Sequence, residues 1–556
     1  MHIMYLCPMR APRATRTPLM ASLRRCFRQF DSESQAQLQN PRFLQDSRRN
    51  SRQNSPSRGS DGFSRRDFLK GALAVGAVSL IPGCRGKEKS GALRIGIVGA
   101  GIAGLHAAHV LAKGGLRAQL YEAGARAGGR ILTLRNLVAP GLYTEAGGEF
   151  LDTSHADMMS LAREFGLSVK DALGPEYSGL IENAWHFGGR MRSEAEVAAA
   201  VRDFTSAIQL DMGALPEDIS AGATGSVAEL DRMSLEEYLD KRGVTGWLRD
   251  LIIVAYVSEF GLDAGRQSCL NLLTLVSFDT AGGRFQVFGD SDERFRIEGG
   301  NQALTDAMAA KYERDLILNH RLEAVAEDGE GFKLSFQGPV GAVERSFDAV
   351  VLALPFTLLR AVEFRMALPE IKRTCIQQLG YGTNAKLFLG YSSRPWREAG
   401  FSGNYFTDGV MQSGWEHSKI QPGPAGGLTV FQGGKAGLDL GKGGPMAQAE
   451  SMTGPMESVF KGTKAARNGS VGAFHWPSYP LSLGSYACYE PGQWTGFAGE
   501  EGKPVGNLFF AGEHCSKDFQ GYMNGGAVTG RQAAEAILAK AGLGNPAAPD
   551  HPAEKP

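Results

Sequence analysis

The 556-residue chain lacks a net charge and is poor in cysteine. Its 59 lysines and arginines balance 59 aspartates and glutamates, and eleven of the arginines lie in residues 1–60, so the body of the chain is mildly acidic. An acidic body lacks the basic surface with which nucleic-acid-binding proteins neutralise phosphates. No nucleic-acid partner is therefore expected.

The seven cysteines form no C-x-x-C pair and show no metal-ligand spacing; they stand at positions 7, 26, 84, 269, 375, 488 and 515. Disulfide scaffolds and structural zinc sites both depend on such spacings. The sequence therefore predicts packed or free thiols, with neither a disulfide framework nor a metal ion. The length exceeds the usual range of one domain, so two domains and a leader are expected.

The most informative stretch is residues 94–104, which read RIGIVGAGIAG. Its first half is a short apolar run typical of a buried parallel strand, and three glycines follow with G-x-G-x-x-G spacing. Gly99 permits the turn from strand to helix, Gly101 lets the backbone approach a pyrophosphate, and Gly104 lets the helix pack on the strand. By itself this pattern only suggests a dinucleotide, because glycine-rich turns occur in many sheets.

The following residues indicate which dinucleotide binds. A second strand is predicted over residues 116–121 and ends at Glu122, 18 residues after Gly104. A carboxylate at this place suits a ribose hydroxyl, and an acid rather than an arginine argues against a 2′-phosphate. Residues 123–130 then read AGARAGGR, a second glycine–arginine turn that a nicotinamide enzyme does not need.

Together these motifs resemble the GAGxxGL…E…GGR signature of the flavin amine oxidase superfamily, which includes monoamine oxidases and L-amino acid oxidases. The resemblance extends over roughly residues 92–540. It implies an α/β fold, with a Rossmann-like FAD-binding domain of the GR2 type interleaved with an α+β substrate-binding domain, and non-covalent FAD. Arg130 would then lie against the FAD phosphates. The FAD contacts implied in this first segment are Gly99, Gly101, Ile102, Ala103, Gly104, Glu122, Ala123, Gly129 and Arg130.

The expected domain boundaries follow from the same resemblance and from hydrophobic periodicity. Residues 1–90 are a leader and residues 543–556 a disordered tail. The FAD-binding domain comprises residues 91–153, 290–355 and 501–542, and the substrate domain residues 154–289 and 356–500. The block from about residue 154 to 278 is predicted to be helical, because apolar residues recur at three- and four-residue intervals over 156–165, 193–210, 234–242 and 246–260. Residues 401–470 are rich in glycine and are predicted to be loops around a strand at 428–431.

Later segments resemble further flavin contacts of the superfamily. The loop at residues 144–151 would pass the isoalloxazine, and the strand at 321–325, expected to pair with 316–319, would bind the adenine. The FFAGE element at residues 509–513 would bind the ribityl chain, and the final helix would face the pyrimidine oxygens. The residues carried over are Gly148, Glu149, Phe150, Leu322, Gly512, Glu513, Gly521, Tyr522, Met523 and Asn524.

Three residues are the predicted catalytic set. Lys386 lies in an alternating strand among apolar neighbours, where an amine needs a partner, and its segment resembles the one whose lysine binds a water at flavin N5. Tyr486 and Tyr522 match the two positions of an aromatic cage. Ser485 occupies the place where some members have a cysteine joined to the flavin. Cys488 is displaced by three residues and would face the other side of a strand.

The implied reaction is that of an FAD-dependent amine oxidase: hydride transfer from the alpha carbon of a neutral amine to flavin N5, hydrolysis of the imine, and reoxidation by O₂ to give H₂O₂, or by another electron acceptor. L-amino acid oxidases hold the substrate carboxylate with an arginine. Here that place falls on Leu151, which favours a small-molecule amine over an amino acid, although Arg284 or Arg296 could substitute. Glu149 leaves a polyamine open. A flavin desaturase or protoporphyrinogen oxidase-like enzyme, or a non-catalytic FAD-binding subunit, is a further alternative.

The leader carries an export signal. Residues 64–70, SRRDFLK, resemble the bacterial twin-arginine motif, and the apolar segment after it, residues 71–82, is too short to span a bilayer. Export to the periplasm or to an extracytoplasmic membrane face is expected. Cys84 ends an imperfect lipoprotein box, so a lipid anchor and a plain cleavage both stay open, and the arginine-rich residues 1–60 also have the composition of a transit peptide. A homodimer is compatible with the sequence, which does not determine the oligomeric state.

Overall fold

The computed structural model describes residues 93–544, apart from 217, 276, 280–283 and 287–291. The leader, including Cys84, and the tail from residue 545 lie outside the described residues. The strands are β1 Ile95–Val98, β2 Ala118–Tyr121, β3 Thr133–Arg135, β4 Tyr143–Glu145, β5 Val169–Asp171, β6 Ile181–Phe187, β7 Arg190–Arg192, β8 Ser277–Asp279, β9 Arg284–Gln286, β10 Phe295–Ile297, β11 Leu316–Ile317, β12 Arg321–Asp328, β13 Gly331–Gly338, β14 Gly341–Phe347, β15 Ala349–Leu352, β16 Glu363–Arg365, β17 Ala385–Tyr391, β18 Phe401–Thr407, β19 Ser413–Glu416, β20 Gly426–Gln432, β21 Arg467–His475 and β22 Leu508–Phe510.

The helices are α1 Ile102–Lys113, α2 Ala156–Glu164, α3 Glu194–Gly213, α4 Ser226–Asp231, α5 Leu235–Lys241, α6 Gly246–Phe260, α7 Cys269–Leu275, α8 Gln302–Lys311, α9 Phe356–Leu359, α10 Glu370–Gln378, α11 Pro395–Glu398, α12 Gly434–Leu440, α13 Pro445–Ser451, α14 Thr453–Val459, α15 Thr463–Ala466, α16 Gln493–Phe497 and α17 Met523–Lys540. Within the described ranges, none of them is long and apolar enough to cross a membrane.

A five-stranded parallel sheet, with strands in the order β11-β2-β1-β15-β22, contains the strand that precedes the first glycine turn. Every residue of β1 and β15 is buried, as the continuous apolar runs require of strands covered on both faces. Helices α1 and α17 pack together so closely that a Cβ at Gly530 would meet the backbone of Ala103. The sheet confirms the predicted α/β class with a Rossmann-like domain.

The glycines of the first turn have the conformations that their spacing predicted. Gly99 has φ +100°, a value that L side chains rarely adopt, and it connects β1 to α1. A Cβ at Gly104 would lie 1.9 Å from the carbonyl oxygen of Gly99, so only glycine lets the helix approach the strand this closely.

A seven-stranded sheet has its strands in the order β21-β17-β20-β19-β18-β6-β7. Three of its strands, β18, β19 and β20, and helices α12 to α15 come from residues 401–470, so the prediction of loops there was wrong apart from the strand at 428–431. The side chains of β17, β19 and β20 are buried despite the glycine-rich composition. Glycines here allow strands and side chains to pack closely, as at Gly414, where a Cβ would meet the ring of Tyr405.

The block predicted as helical contains all four expected helices, but it also contributes strands. Ser193 and Ser234 cap α3 and α5 in capping boxes with Glu196 and Glu237, which explains why these helices begin there. Strands β6 and β7 extend the seven-stranded sheet, and β6 pairs in parallel with β18. The domain boundaries stay a prediction.

Two further details of the prediction were wrong. Strand β11 pairs with β2 in the parallel sheet and not with β12, which instead pairs with β13 and β16 in a four-stranded sheet. The segment around Cys488 is not a strand, since only an isolated bridge joins Ala487 to Tyr381.

Candidate functional site

A cavity of about 1580 Å³ opens at the carboxyl ends of the parallel strands. This volume includes space that is open to solvent, so the cavity is an open cleft rather than a closed pocket. Gly99, Glu122, Ala353 and Gly512, which follow β1, β2, β15 and β22, all line it, as expected for a ligand site in an open α/β sheet. Most predicted site residues line it too: Gly99, Gly101, Ile102, Ala103, Glu122, Ala123, Gly129, Arg130, Gly148, Glu149, Phe150, Lys386, Tyr486, Gly512, Glu513, Gly521, Tyr522 and Met523.

The first two glycine turns face each other across one end of the cavity. Gly101 and Gly128 form an isolated parallel bridge, and a Cβ at Gly101 would come no closer to another group than 4.0 Å, from the Cα of Gly129. The first turn of α1 has no side-chain cap, so its amides remain open to a ligand. Open amides at a helix N-terminus fit a pyrophosphate.

Glu122 is held in place beside these turns. One of its carboxylate oxygens accepts a hydrogen bond from the amide of Ala100 at 2.9 Å, and the other from the amide of Gly124 at 2.7 Å. Each oxygen retains a further lone pair. The fixed carboxylate can therefore accept ribose hydroxyls, and together with the open amides it fits the adenosine-diphosphate part of FAD.

Arg130 and Glu513 form an ion pair across the cavity wall. Nη1 of Arg130 donates to Oε1 of Glu513 at 2.9 Å and to the carbonyl oxygen of Ser485 at 2.6 Å. Glu513 also accepts from the amides of Ala487 at 3.2 Å and Gly521 at 2.7 Å. The pair therefore joins three chain segments that line the cavity, and the contact of Arg130 with phosphate stays a prediction.

Lys386 meets the partner that its apolar surroundings require. Its ammonium group donates to the carbonyl oxygens of Glu145 at 2.9 Å and Gly147 at 3.0 Å, and to Oε2 of Glu149 at 3.2 Å. Three acceptors match the three hydrogens of an ammonium group. The predicted bond to a flavin-bound water would have to share one of these hydrogens.

An aromatic wall, defined as Phe150, Trp415 and Phe431, lies beside Lys386. The ring centroids of Phe150 and Trp415 are 5.2 Å apart, and those of Trp415 and Phe431 are 5.3 Å apart. The ammonium of Lys386 lies 5.1 Å from the centroid of the Trp415 ring. Register explains the arrangement, because Lys386 pairs directly with Phe431 across β17 and β20. The prediction missed Trp415 because it read that segment as loops, and no alternation of apolar residues surrounds Trp415 in the sequence. It placed Phe431 in a strand but assigned it no role.

The two predicted cage tyrosines line the same cavity. The hydroxyl of Tyr486 donates to the carbonyl oxygen of Ser258 at 3.0 Å, and the ring of Tyr522 lies edge-to-face on His155, with centroids 4.9 Å apart. Burial lowers the pKa of His155, so this imidazole is neutral near pH 7. Both rings are therefore held by fixed neighbours.

Three predicted FAD residues do not line the cavity. Gly104 acts in helix packing, and Leu322 is buried in the hydrophobic core of β12. The side chain of Asn524 instead accepts a hydrogen bond from the amide of Met158 at 3.1 Å. Leu151, at the place of the carboxylate-binding arginine, is also buried and bonded to Phe295. Gly104 thus has the packing role that its spacing predicted. The backbone contact of Leu322 with the adenine stays a prediction.

Ser485 and Cys488 are the two positions that bear on covalent attachment of the flavin. Ser485 lines the cavity and donates to Oδ1 of Asn384 at 2.7 Å. Cys488 is buried next to Asn271, whose Nδ2 lies 3.6 Å from its sulfur. Along the described part of the chain, no cysteine lines the cavity, and no cluster of three or more histidine, cysteine or acidic residues could hold a metal ion.

Comparison with known proteins identifies the family. The family model described as flavin containing amine oxidoreductase matches residues 102–538, and the model of the twin-arginine translocation pathway signal sequence matches residues 62–82. An L-amino acid dehydrogenase from Synechocystis sp. is 24% identical over 485 residues, 84% of this chain and 99% of that protein. The (S)-6-hydroxynicotine oxidase of Paenarthrobacter nicotinovorans is 25% identical over 458 residues, 80% of this chain and 98% of that protein.

Solved structures support the fold. Cyclohexylamine oxidase from Brevibacterium oxydans superposes with a TM-score of 0.71 at 22% identity, over 81% of this chain and 100% of the other. Wild-type putrescine oxidase bound to putrescine gives a TM-score of 0.68 at 21% identity, over 80% of this chain and 99% of the other.

Proposed function

Because the chain belongs to the flavin containing amine oxidoreductase family, we propose that this exported FAD enzyme oxidises a neutral small-molecule amine in the cavity described above. The observation that carries the proposal is that Tyr486, Tyr522, Lys386 and the aromatic wall line the same cavity as the glycine turns and Glu122. The first set suits a substrate and the second a dinucleotide. FAD, when bound, supplies a two-electron acceptor for the hydrogen on the carbon next to nitrogen.

The chain's own residues would select the neutral form of the amine. Tyr486 and Tyr522 contribute aromatic rings, and the aromatic wall contributes three more, so an ammonium group would lose its hydration there. Lys386 adds a like charge. A substrate therefore has to leave its proton in solvent before it enters, and we expect its oxidation rate to rise with pH towards the pKa of the amine.

The fixed rings would also orient the substrate. Tyr486 is held by its hydrogen bond to Ser258 and Tyr522 by its packing on His155, so neither ring needs to be ordered when substrate binds. Groups that are ordered beforehand reduce the entropy that binding costs. We propose O₂ as the electron acceptor and the periplasm as the location; the match to a twin-arginine signal at residues 62–82 supports export.

Oxidation of an L-amino acid is the second candidate. It is supported by Arg296, which is buried and whose Nε and Nη1 have no hydrogen-bond partner among the described residues. A substrate carboxylate could fill that need. Against it, Arg296 stands behind the ring of Phe150, 4.9 Å from its centroid, and does not line the cavity. The side chain of Arg284, the other arginine considered, lies outside the described residues.

The test is a substrate screen on purified protein that contains FAD. Primary and secondary amines, polyamines and L-amino acids are added without oxygen, and bleaching of the flavin absorption is followed; peroxide is then measured with oxygen present. We expect bleaching by amines and little by amino acids. Bleaching by amino acids alone would replace the proposed substrate class, and bleaching by none of the three would contradict the proposed activity.

A further inference from the structure

One carboxylate beside the cavity is paired with two buried cations. Oε2 of Glu149 lies 3.2 Å from Nζ of Lys386, and Oε1 lies 3.5 Å from Nη2 of Arg296. The exposed fractions of the three side chains are 3%, 6% and 7%. Charges so deeply buried are stable only when they are paired.

Glu149 is the acid that directly contacts both cations. Over the described ranges, Glu149 is the one carboxylate within ion-pair distance of Lys386 or of Arg296. The other acceptors of Lys386 are carbonyl oxygens of Glu145 and Gly147, in the same loop as Glu149. The loop therefore surrounds the ammonium group. Among the described residues, Glu149 is the carboxylate in direct contact with it, and the buried carboxyl of Glu145 acts on Lys386 at longer range.

We propose that Glu149 is a positioning residue that acts through Lys386: it holds the ammonium group of Lys386 at the substrate end of the cavity and offsets the charge of Arg296 behind it. The inference rests on the proposed function for the meaning of that end of the cavity. Because two buried cations outweigh the single negative charge of Glu149, the cluster is net positive and does not favour a substrate ammonium group.

A matched control exists on β19, two strands away from the strand of Lys386 in the seven-stranded sheet. Glu416 is also fully buried and also lies between two arginines, 2.7 Å from Nε of Arg397 and 3.4 Å from Nε of Arg394. It directly follows Trp415 but does not line the cavity. Glu416→Gln therefore removes the same chemical group with similar burial, away from the ligand.

The first measurement concerns charge at the cofactor. Glu149→Gln removes a negative charge beside the cavity, so the bound FAD is expected to accept electrons more readily, with a reduction potential shifted to more positive values and an altered visible spectrum. Glu416→Gln is expected to lower the melting temperature but to leave potential and spectrum as in the wild type. An unshifted potential in Glu149→Gln, or an equal shift in Glu416→Gln, would overturn the proposal.

The second measurement tests whether Glu149 acts through Lys386. Glu149→Gln is expected to slow anaerobic flavin reduction by about tenfold to a hundredfold with little change in KM, because small misplacements near the reacting atoms cost this much. In the double variant Glu149→Gln with Lys386→Met, the rate should fall no further than in Lys386→Met alone. Additive losses would contradict the inference.

Stability provides a readout that needs no substrate. The double variant leaves one unpaired buried cation where Glu149→Gln leaves two, so it is expected to melt at a higher temperature than Glu149→Gln. The melting temperatures and the flavin reduction potential can be measured even if no amine reduces the flavin. A wrong substrate class can therefore be distinguished from a wrong role of Glu149. A lower melting temperature in the double variant would count against the pairing.

Discussion

Two glycines of the same motif are expected to respond in opposite ways to the same substitution. Gly101→Ala places a methyl group whose nearest neighbour is 4.0 Å away, on a backbone with φ −74° that alanine adopts readily. Gly104→Ala places one 1.9 Å from the carbonyl oxygen of Gly99 and 3.2 Å from a methyl group of Ile97. The first substitution should lower the affinity for FAD, and the second should lower the free energy of unfolding.

The magnitudes follow from these distances. In Gly101→Ala the free energy of unfolding without FAD should change by less than about 0.5 kcal/mol, as for substitutions without a clash. Its methyl group stands where a phosphate would approach the amides of α1, and loss of one charged hydrogen bond, about 1.5–3 kcal/mol, weakens FAD binding about ten- to hundredfold. Gly104→Ala gains about 1 kcal/mol in helix propensity. The clash costs more than this gain, about 3 kcal/mol, because the new methyl group meets rigid backbone rather than a flexible side chain.

The assay uses protein freed of flavin. FAD is titrated into each variant while quenching of its fluorescence is followed, and thermal unfolding of the flavin-free proteins is recorded by circular dichroism. The reasoning is refuted if Gly101→Ala binds FAD as tightly as the wild type, or if Gly104→Ala unfolds at the temperature of the wild type.

Two further predictions concern pH and export. Burial raises the pKa of Glu145 to about 7. The folded protein therefore keeps a proton on this carboxyl that the unfolded chain releases above about pH 4.5. As the pH rises to 7, the free energy of unfolding falls by about 3 kcal/mol on account of this group. Glu145→Gln should therefore melt at a higher temperature than the wild type above pH 7 and at the same temperature near pH 5; equal differences at both pH values would contradict this. Replacement of Arg65 and Arg66 by lysine should keep the protein in the cytoplasm on cell fractionation, because the twin-arginine signal is lost; periplasmic protein would refute it.

Local features of the site could be predicted from sequence because their causes are local. The turn at Gly99 requires a positive φ, and the contact of Gly104 with Gly99 spans a single turn, so spacing alone specifies both. Lys386 was expected to need a partner because its strand is apolar. That partner, Glu149, belongs to a distant segment, and no periodicity connects the two.

Non-local pairing explains most of the errors. Strand β6, Ile181–Phe187, is a parallel partner of β18, and its seven residues lie among helices, where a helical reading of the whole block was natural. Likewise, Leu316–Ile317 is an apolar pair that could join either β2 or β12, and its pairing with β2 is visible only in the folded sheet. Where a short segment is apolar on both faces, its sequence does not say which strand it will meet.

The crossing of the chain between the two sheets has a consequence for biogenesis. The walls of the cavity extend in sequence from Gly99 to Gly526, and the central strand β1 has β15 as its neighbour, with β22 beyond it. A nascent chain still on the ribosome therefore lacks a complete FAD-binding site, and it binds the cofactor only after synthesis ends. An exported protein built in this way has to bind FAD and fold in the compartment where FAD is made. A translocase that transports unfolded polypeptides would export it without its cofactor.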